Sequence, residues 1–338
     1  MSPSDGLEYV LPLAWSRETS VREADQLGRY LHLLAELVDV TVVDGSPTDV
    51  FDRHHERWAG AVRHVRPAPR HGANGKVAGV VTGVQLARHD RVIVADDDVR
   101  YDAPALALMA RALETADVVR PQCIYDSGNW CAQWDSARIL VNRSLGHDYP
   151  GTYGVRAATF RRAGGYDGDA LFENLEMVRT LRVAGAVVSD RPDLFVRRTA
   201  PSLRQFWGQR VRQAYDSFAQ PARLAGECAL LPAFVLSVRA RPRLIALWVA
   251  APVLLAEVGR RRHRGRREFS WTCSLWAPVW VAERAVCVWL AVWQRLRGGV
   301  RYRGCRVRLA AHSTAQLRAR LLDPQQRSPL RKNPPAPG

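Results

Sequence analysis

The stretch Arg91-Val-Ile-Val-Ala-Asp-Asp-Asp-Val-Arg100 decides the fold. Its β-branched apolar run reads as a strand buried on both faces, the signature of a mostly parallel sheet covered by helices. Asp96, Asp97 and Asp98 follow at once, and three adjacent like charges repel, so packing does not explain them. The carboxyl ends of strands are where open α/β sheets bind ligands. Carboxylates too few to cage a metal suit Mg2+ or Mn2+, with substrate phosphates completing the shell. The alternative reading of the triplet alone is an acidic strand-to-turn junction.

The patterns on either side agree with an α/β chain. Strands are expected at Tyr9–Leu13, Asp39–Val43, Ala61–Val65, Val92–Ala95 and from Val118. Helices are expected from a Ser20/Glu23 capping box to Leu37, over 75–88, after Asp102, over 170–184 and over 201–219. Between Cys123 and Tyr149 the pattern turns irregular and aromatic (Tyr125, Trp130, Trp134), which suits an acceptor platform or second-layer core packing. After about Leu224 the composition becomes apolar. Leu244–Leu255 is shorter than the roughly 20 residues that span a bilayer. Cys273–Trp293 is long enough, but Glu283-Arg284 interrupts it, so the two segments form a charge-paired hairpin or lie in the interface plane. The expected division is 1–222, an α/β domain of layered nucleotide-binding type; 223–310, membrane-associated helices with basic linkers; and 311–338, a helix and the disordered tail Asn333–Gly338.

The formal charge of +16 invites a nucleic-acid reading. All but two of the 49 basic residues are arginine, the lysines being Lys76 and Lys332. That ratio points to base-composition bias rather than a selected phosphate-binding surface. Much of the excess sits late in the chain (239–243, 260–267, 295–308), beside apolar segments, where it suits anionic lipid at a cytoplasmic membrane face. Six cysteines show no metal spacing and read as reduced, mostly buried thiols. Met1–Gly6 lacks a signal-peptide pattern, so the expected location is the cell membrane with the catalytic part cytoplasmic. His54, His55, His64 and His71 show no metal-ligand spacing and read as surface or loop residues.

Four features follow in order. They are Val42-Val-Asp-Gly-Ser-Pro-Thr-Asp49, Gly72-Ala-Asn-Gly-Lys76 at a helix start suited to an anion, the acidic triplet, and Phe172-Glu-Asn-Leu-Glu-Met-Val-Arg179; Gln209-Arg-Val-Arg-Gln213 lies beyond. This ordered set resembles the inverting glycosyltransferases of family 2, which have the GT-A fold, over roughly Tyr9 to Tyr215. The apolar C-terminal part is similar to the family's membrane-attached branch, near the ceramide and hopanoid glucosyltransferases.

The resemblance implies a nucleotide-sugar donor, a lipid or lipid-linked glycan acceptor, and Mg2+ or Mn2+. It implies Asp44 on the donor base, uracil for a UDP-linked sugar, and Lys76 beside the ribose-diphosphate. Asp96 and Asp97 would contact the donor, with Asp98 and Asp96 on the metal. Gln209, Arg210 and Arg212 would lie against donor and acceptor. The base would be Glu173 or Glu176, which share a helix face; Glu173 is preferred because Arg179 can pair with Glu176. Two departures stand out. Asn174 replaces the family's aspartate and accepts no proton, and Gln213 replaces its tryptophan, which favours transfer of a single sugar over polymerisation. The competing classes are a non-catalytic nucleotide-sugar-binding scaffold, motivated by Asn174, and a nucleotidyltransferase, disfavoured because 12–18 lacks a glycine-rich loop.

Overall fold

The computed structural model describes residues 6–17, 19, 21–58, 60–69, 72–126, 128–302 and 305–322. Ser20, His71 and the tail Asn333–Gly338 lie outside the described residues.

Eight strands form one mixed sheet: β1 (Leu7–Leu13), β2 (Asp39–Asp44), β3 (Arg63–Val65), β4 (Arg91–Ala95), β5 (Val99–Arg100), β6 (Val118–Tyr125), β7 (Thr152–Arg156) and β8 (Val188–Arg198). Their order is β3-β2-β1-β4-β7-β6-β8-β5. β3, β2, β1 and β4 are parallel neighbours, while β7 runs antiparallel to both β4 and β6. A two-stranded hairpin, β9 (Val300–Tyr302) and β10 (Cys305–Val307), is separate.

The helices, in chain order, are α1 (Val21–Ala35), α2 (Thr48–Trp58), α3 (Gly75–Leu86), α4 (Ala103–Ala112), α5 (Trp130–Leu145), α6 (Ala157–Ala163), α7 (Glu173–Val183), α8 (Leu203–Tyr215), α9 (Pro221–Ala240), α10 (Leu244–Arg261), α11 (Thr272–Leu275), α12 (Ala277–Leu296) and α13 (Thr314–Leu322). The chain folds into two compact units. Among the described residues, the first comprises those within 6–121, 150–196 and 312–322, and the second those within 122–149 and 197–311.

In the first unit the two-residue period of the strands sorts the core into two layers. Leu7, Tyr9, Leu11, Ile93 and Ala95 face one side with Leu27 and Leu31 of α1 and Leu106 of α4. Val10, Val92 and Val94 face the other with Val80, Val81 and Val84 of α3. Strands buried on both faces account for the unbroken apolar run that ends at Ala95. α3 lies close on β1, because a Cβ at Gly83 would come within 2.2 Å of Val10 Cγ1. Asp102 caps α4 through the Ala105 N–H (2.9 Å), as its sequence position predicts.

The segment 123–149, expected to be irregular, holds the 16-residue helix α5. Asn129 caps it by accepting from the Ala132 N–H at 2.8 Å. The helix was hidden because it buries polar Asp135, Asn142 and Arg143 along with apolar residues, which blurs its periodicity. Strands β7 and β8 also exceed what the pattern predicted.

In the second unit the only helix among the described residues long and apolar enough to cross a membrane is α9, a segment that the sequence pattern did not single out. α12 covers the interrupted segment, and its charges are paired with other elements of the unit. Glu283 accepts from Trp134 Nε1 at 3.0 Å and from Arg210 Nη1 at 3.4 Å; Arg284 is buried with Glu227 4.0 Å away. All six cysteines are free, with Cys123, Cys131, Cys273 and Cys287 buried, as their spacing implied.

Candidate functional site

The parallel strands β2 and β4 flank β1, so their carboxyl ends, and with them Asp44 and Asp96, lie at one edge of the sheet. Continuing the strand alternation beyond Ala95 sends Asp96 towards the α3 layer. There Lys76, in the first turn of α3, places its Nζ 2.5 Å from Asp96 Oδ1 and 2.5 Å from Glu173 Oε1.

Two loops deliver this ammonium. Gly72 adopts φ +128°, and a Cβ there would collide with the Gly168 backbone at 2.6 Å. The close approach lets Asn74 N donate to Gly168 O (2.8 Å) and Ala73 N to Asp169 Oδ1 (3.0 Å). Asn74 Nδ2 donates to Ala170 O (3.2 Å), while its Oδ1 caps α3. The start of α3 is thereby fastened to the loop leading into α7, whose first residue is Glu173.

Glu173 is buried and also accepts from Tyr166 OH at 3.2 Å. Burial pushes its carboxyl above the usual carboxylate range; the Lys76 charge opposes this and the Asp96 charge adds to it. For Lys76, burial favours the neutral form, but Asp96 and Glu173 outweigh it and hold the ammonium protonated. Asp97 turns away to accept from Trp15 Nε1. Its carboxyl is raised first by burial and then by the Asp98 charge, with a smaller push from Asp96. Asp96, Asp97 and Asp98 offer only carboxylate oxygens, and their mutual repulsion is the kind a hard divalent cation relieves. The donor set fits Mg2+ or Mn2+.

Glu176, the other candidate base, is placed differently. It is wholly buried, and both oxygens are taken by one residue of the C-terminal segment: Oε2 by His312 N (2.7 Å) and Oε1 by His312 Nδ1 (2.8 Å). Arg179, expected as the partner of Glu176, instead donates to His312 O at 2.7 Å. Asn174 donates to Pro150 O at 3.5 Å, an interaction that an aspartate could not make.

Asp44 is wholly buried at the end of β2. Ser46 N donates to its Oδ1 (2.8 Å), while His54 Nδ1 (2.6 Å) and His64 Nε2 (3.2 Å) meet Oδ2. Burial would raise this carboxyl, yet the bonds from His54, His64 and Ser46 prevail and hold it well below the ordinary range. A direct contact between Asp44 and a donor base therefore requires one of these partners to yield. The histidines are not the surface residues that their scatter in the sequence suggested. His54 stacks on Trp58 (4.3 Å between centroids) and His64 on Phe51 (4.2 Å), both imidazoles buried. No local spacing announces the trio, because it is assembled from β2, α2 and β3.

Gln209, Arg210 and Arg212 belong to α8 of the second unit. Arg210 is 2% exposed and donates to Phe206 O (2.9 Å), Asp135 Oδ1 (2.8 Å) and Glu283 (3.4 Å). A guanidinium so paired and buried is engaged as an ion-pair partner, so contact with donor or acceptor requires one of these carboxylates to yield. Arg212 lies over the Tyr302 ring at 5.6 Å, and Gln209 accepts from Gln213 at 3.5 Å. Beside them Trp130, Trp134, Phe206, Trp207 and Trp276 form one aromatic cluster, from which Trp130 and Trp207 reach solvent.

Residues 19–163 match the sequence model of Glycosyl transferase family 2. Among solved structures, a mannosyltransferase from Pyrobaculum calidifontis in complex with GDP-Man and Mn2+ is 16% identical with a TM-score of 0.49, covering 84% of this chain and 87% of that one. Mannosyl-3-phosphoglycerate synthase from Rubrobacter xylanophilus is 18% identical with a TM-score of 0.39, covering 65% and 75%. Glucosyl-3-phosphoglycerate synthase from Mycobacterium tuberculosis is 16% identical with a TM-score of 0.38, covering 58% and 73%. A comparison with curated protein sequences finds no match.

Proposed function

From a chain that carries a family 2 glycosyltransferase domain, we propose a metal-dependent, inverting transfer of a single sugar from a nucleotide-sugar donor, UDP-linked, to a lipid or lipid-linked acceptor at the cytoplasmic membrane face. The observation that carries this reading is the ammonium of Lys76 held between Asp96 and Glu173 beside the rest of the acidic triplet. One cation between two carboxylates sets the base and the donor-binding acid side by side at the sheet edge.

In this reading Glu173 takes the proton of the attacking acceptor hydroxyl, and burial raises its affinity for that proton. Lys76 orients that carboxylate and can exchange one carboxylate partner for a diphosphate oxygen. Asp96 and Asp98 would hold Mg2+ or Mn2+, which when bound supplies Lewis-acid neutralisation of the leaving diphosphate. Tyr166 fixes the second oxygen of Glu173. The match to the family and the chemistry of the carboxylates support the donor class. The exposed apolar surface of the second unit supports the lipid acceptor.

The test is donor hydrolysis and transfer by the purified chain with UDP-, GDP- and dTDP-sugars, with and without Mn2+, and with lipid extract as acceptor. Metal-dependent release from one donor is expected, lost in Asp98→Ala and in Glu173→Gln. Turnover that persists in Glu173→Gln refutes the assignment of the base. Metal-dependent binding without release, lipid included, refutes catalysis.

A further inference from the structure

The second unit buries several charged side chains within its apolar interior and exposes many large apolar ones. Arg143, Arg210, Arg284, Asp135 and Glu227 are at most 7% exposed, whereas Leu236 is 68%, Leu247 58%, Leu254 66% and Leu296 82% exposed. Charged groups turned inward and large apolar groups turned outward is the arrangement that lipid selects. The outward apolar residues lie along α12 and on the hairpin of α9 and α10, and that hairpin is held together by Trp248 Nε1 donating to Ser237 Oγ (2.8 Å) and by the Phe234–Trp248 ring contact.

Both roots of that hairpin are fixed in the protein. In α9, Glu227 accepts from Ser217 Oγ (2.7 Å) and Arg223 Nε (2.8 Å). In α10, Gly259 is pressed on Leu140, where a Cβ would lie 1.9 Å from the carbonyl oxygen, and Arg143 Nε donates to Gly259 O at 3.3 Å. The free part of α9, residues 229–240, rises only about 18 Å at 1.5 Å per residue. A bilayer core is about 30 Å thick. Length and composition alone would let α9 cross; with Glu227 tied into the protein, the stretch beyond it is too short to do so.

The arginines give the orientation. Arg239, Arg241 and Arg243 are exposed at the tip, and Arg261, Arg264, Arg266 and Arg267 are exposed at and just beyond the far end of α10. With guanidinium groups at both ends of the apolar stretch, a perpendicular hairpin would drive one set into hydrocarbon. A hairpin lying flat leaves both sets at the level of lipid phosphates.

We infer that the α9–α10 hairpin lies in the plane of one leaflet of an anionic membrane, immersing its apolar face without crossing, its terminal arginines on the headgroup phosphates. This deepens the membrane part of the proposed function and rests on that reading.

The test uses the purified full chain added to sealed vesicles, either neutral phosphatidylcholine or the same lipid with phosphatidylglycerol, followed by flotation. Strong flotation with anionic vesicles, weakened by salt and by omission of the anionic lipid, is expected. Leu236→Glu with Leu247→Glu should lower vesicle binding about tenfold or more while the melting temperature is kept. In the variant Ala240→Cys the tip should react with an impermeant maleimide added outside the vesicles, above the background of Cys228 and Cys305. A tip cysteine labelled only after lysis would show a crossing helix and overturn the inference. So would unchanged binding of the double glutamate variant. Sedimentation showing a lipid-free dimer that those glutamates dissociate would assign the face to a second copy instead and equally overturn it. Absence of donor hydrolysis together with the expected flotation would refute the transferase reading and leave the surface assignment standing.

Discussion

Replacing Lys76 by Met tests the centre of the site, because it removes one charge from between two carboxylates and keeps the apolar stem. The ammonium is 2.5 Å from both Asp96 and Glu173, and its side chain is 19% exposed against 26% and 8% for theirs. At an effective dielectric constant near 20, each contact is worth at most about 4 kcal/mol at a charge separation of 4 Å. Breaking a buried pair typically costs about 3–5 kcal/mol. Partial exposure of Asp96 argues for the low end, about 3 kcal/mol, or roughly 6–12 °C in melting temperature for a unit of this size.

The pH dependence has a definite sign. Without Lys76, the already raised affinity of Glu173 for a proton rises further above its unfolded value. Such a group contributes stability that is present below the ordinary carboxylate range and lost as pH rises through its folded value. The cost of Lys76→Met should therefore shrink in mildly acidic buffer and grow in mildly alkaline buffer, and Lys76→Arg should keep most of the stability. Urea unfolding at two pH values reads both. A melting temperature lowered by less than about 2 °C, or a cost that does not change with pH, would refute the electrostatic account of the site.

Two further substitutions probe how the site is held. His312→Ala removes the imidazole bond to the wholly buried Glu176 and should destabilise by about 2 kcal/mol. Since His312 reaches α7 and so acts on Glu173 only through the helix, kcat should fall while KM for the donor stays; a change confined to KM would argue against positioning. Gly83→Ala should destabilise by about 1–2 kcal/mol despite the better helix propensity of alanine, because the new methyl meets Val10 2.2 Å away. Denaturation of the Val10→Ala, Gly83→Ala double variant should show the two changes compensating; additive losses would count against overpacking.

What the sequence made legible is what is local. The strand ending at Ala95, the cap at Asp102 and the glycine-rich start of α3 are written in adjacent residues, and the two-residue period assigns Val92 and Val94 to the layer of α3. The candidate site was legible in part, as a set of motifs that includes Lys76, Asp96 and Glu173. Which atoms meet was not, since Glu173 lies 97 residues from Lys76 and only the zippering of loop 72–74 on loop 168–170 brings them together. Glu176 looked like the partner of Arg179 because a helix makes residues three apart neighbours. The competing partner, His312, lies 136 residues away and offers two donors from one residue, an advantage no local rule can register.

The second unit escaped the pattern for a different reason. Periodicity arguments assume that apolar faces turn inward and charges outward, and here several charged side chains are buried among apolar ones while many leucines are exposed. Glu283-Arg284 looked like an interruption of an apolar span, but in the structure the two residues are the points at which α12 is tied to α8, α5 and α9. Arg210, which the resemblance places against donor and acceptor, is one of those ties. A buried guanidinium with two carboxylate partners is costly to assemble, and removal of either acid leaves it with a single partner. The buried ion pairs therefore tie the helices together alongside an apolar interior that includes Ile139, Leu140, Phe206, Trp280 and Val288. In the proposed membrane reading the exposed apolar residues face lipid, and one arrangement accounts for both the buried charges and the exposed leucines.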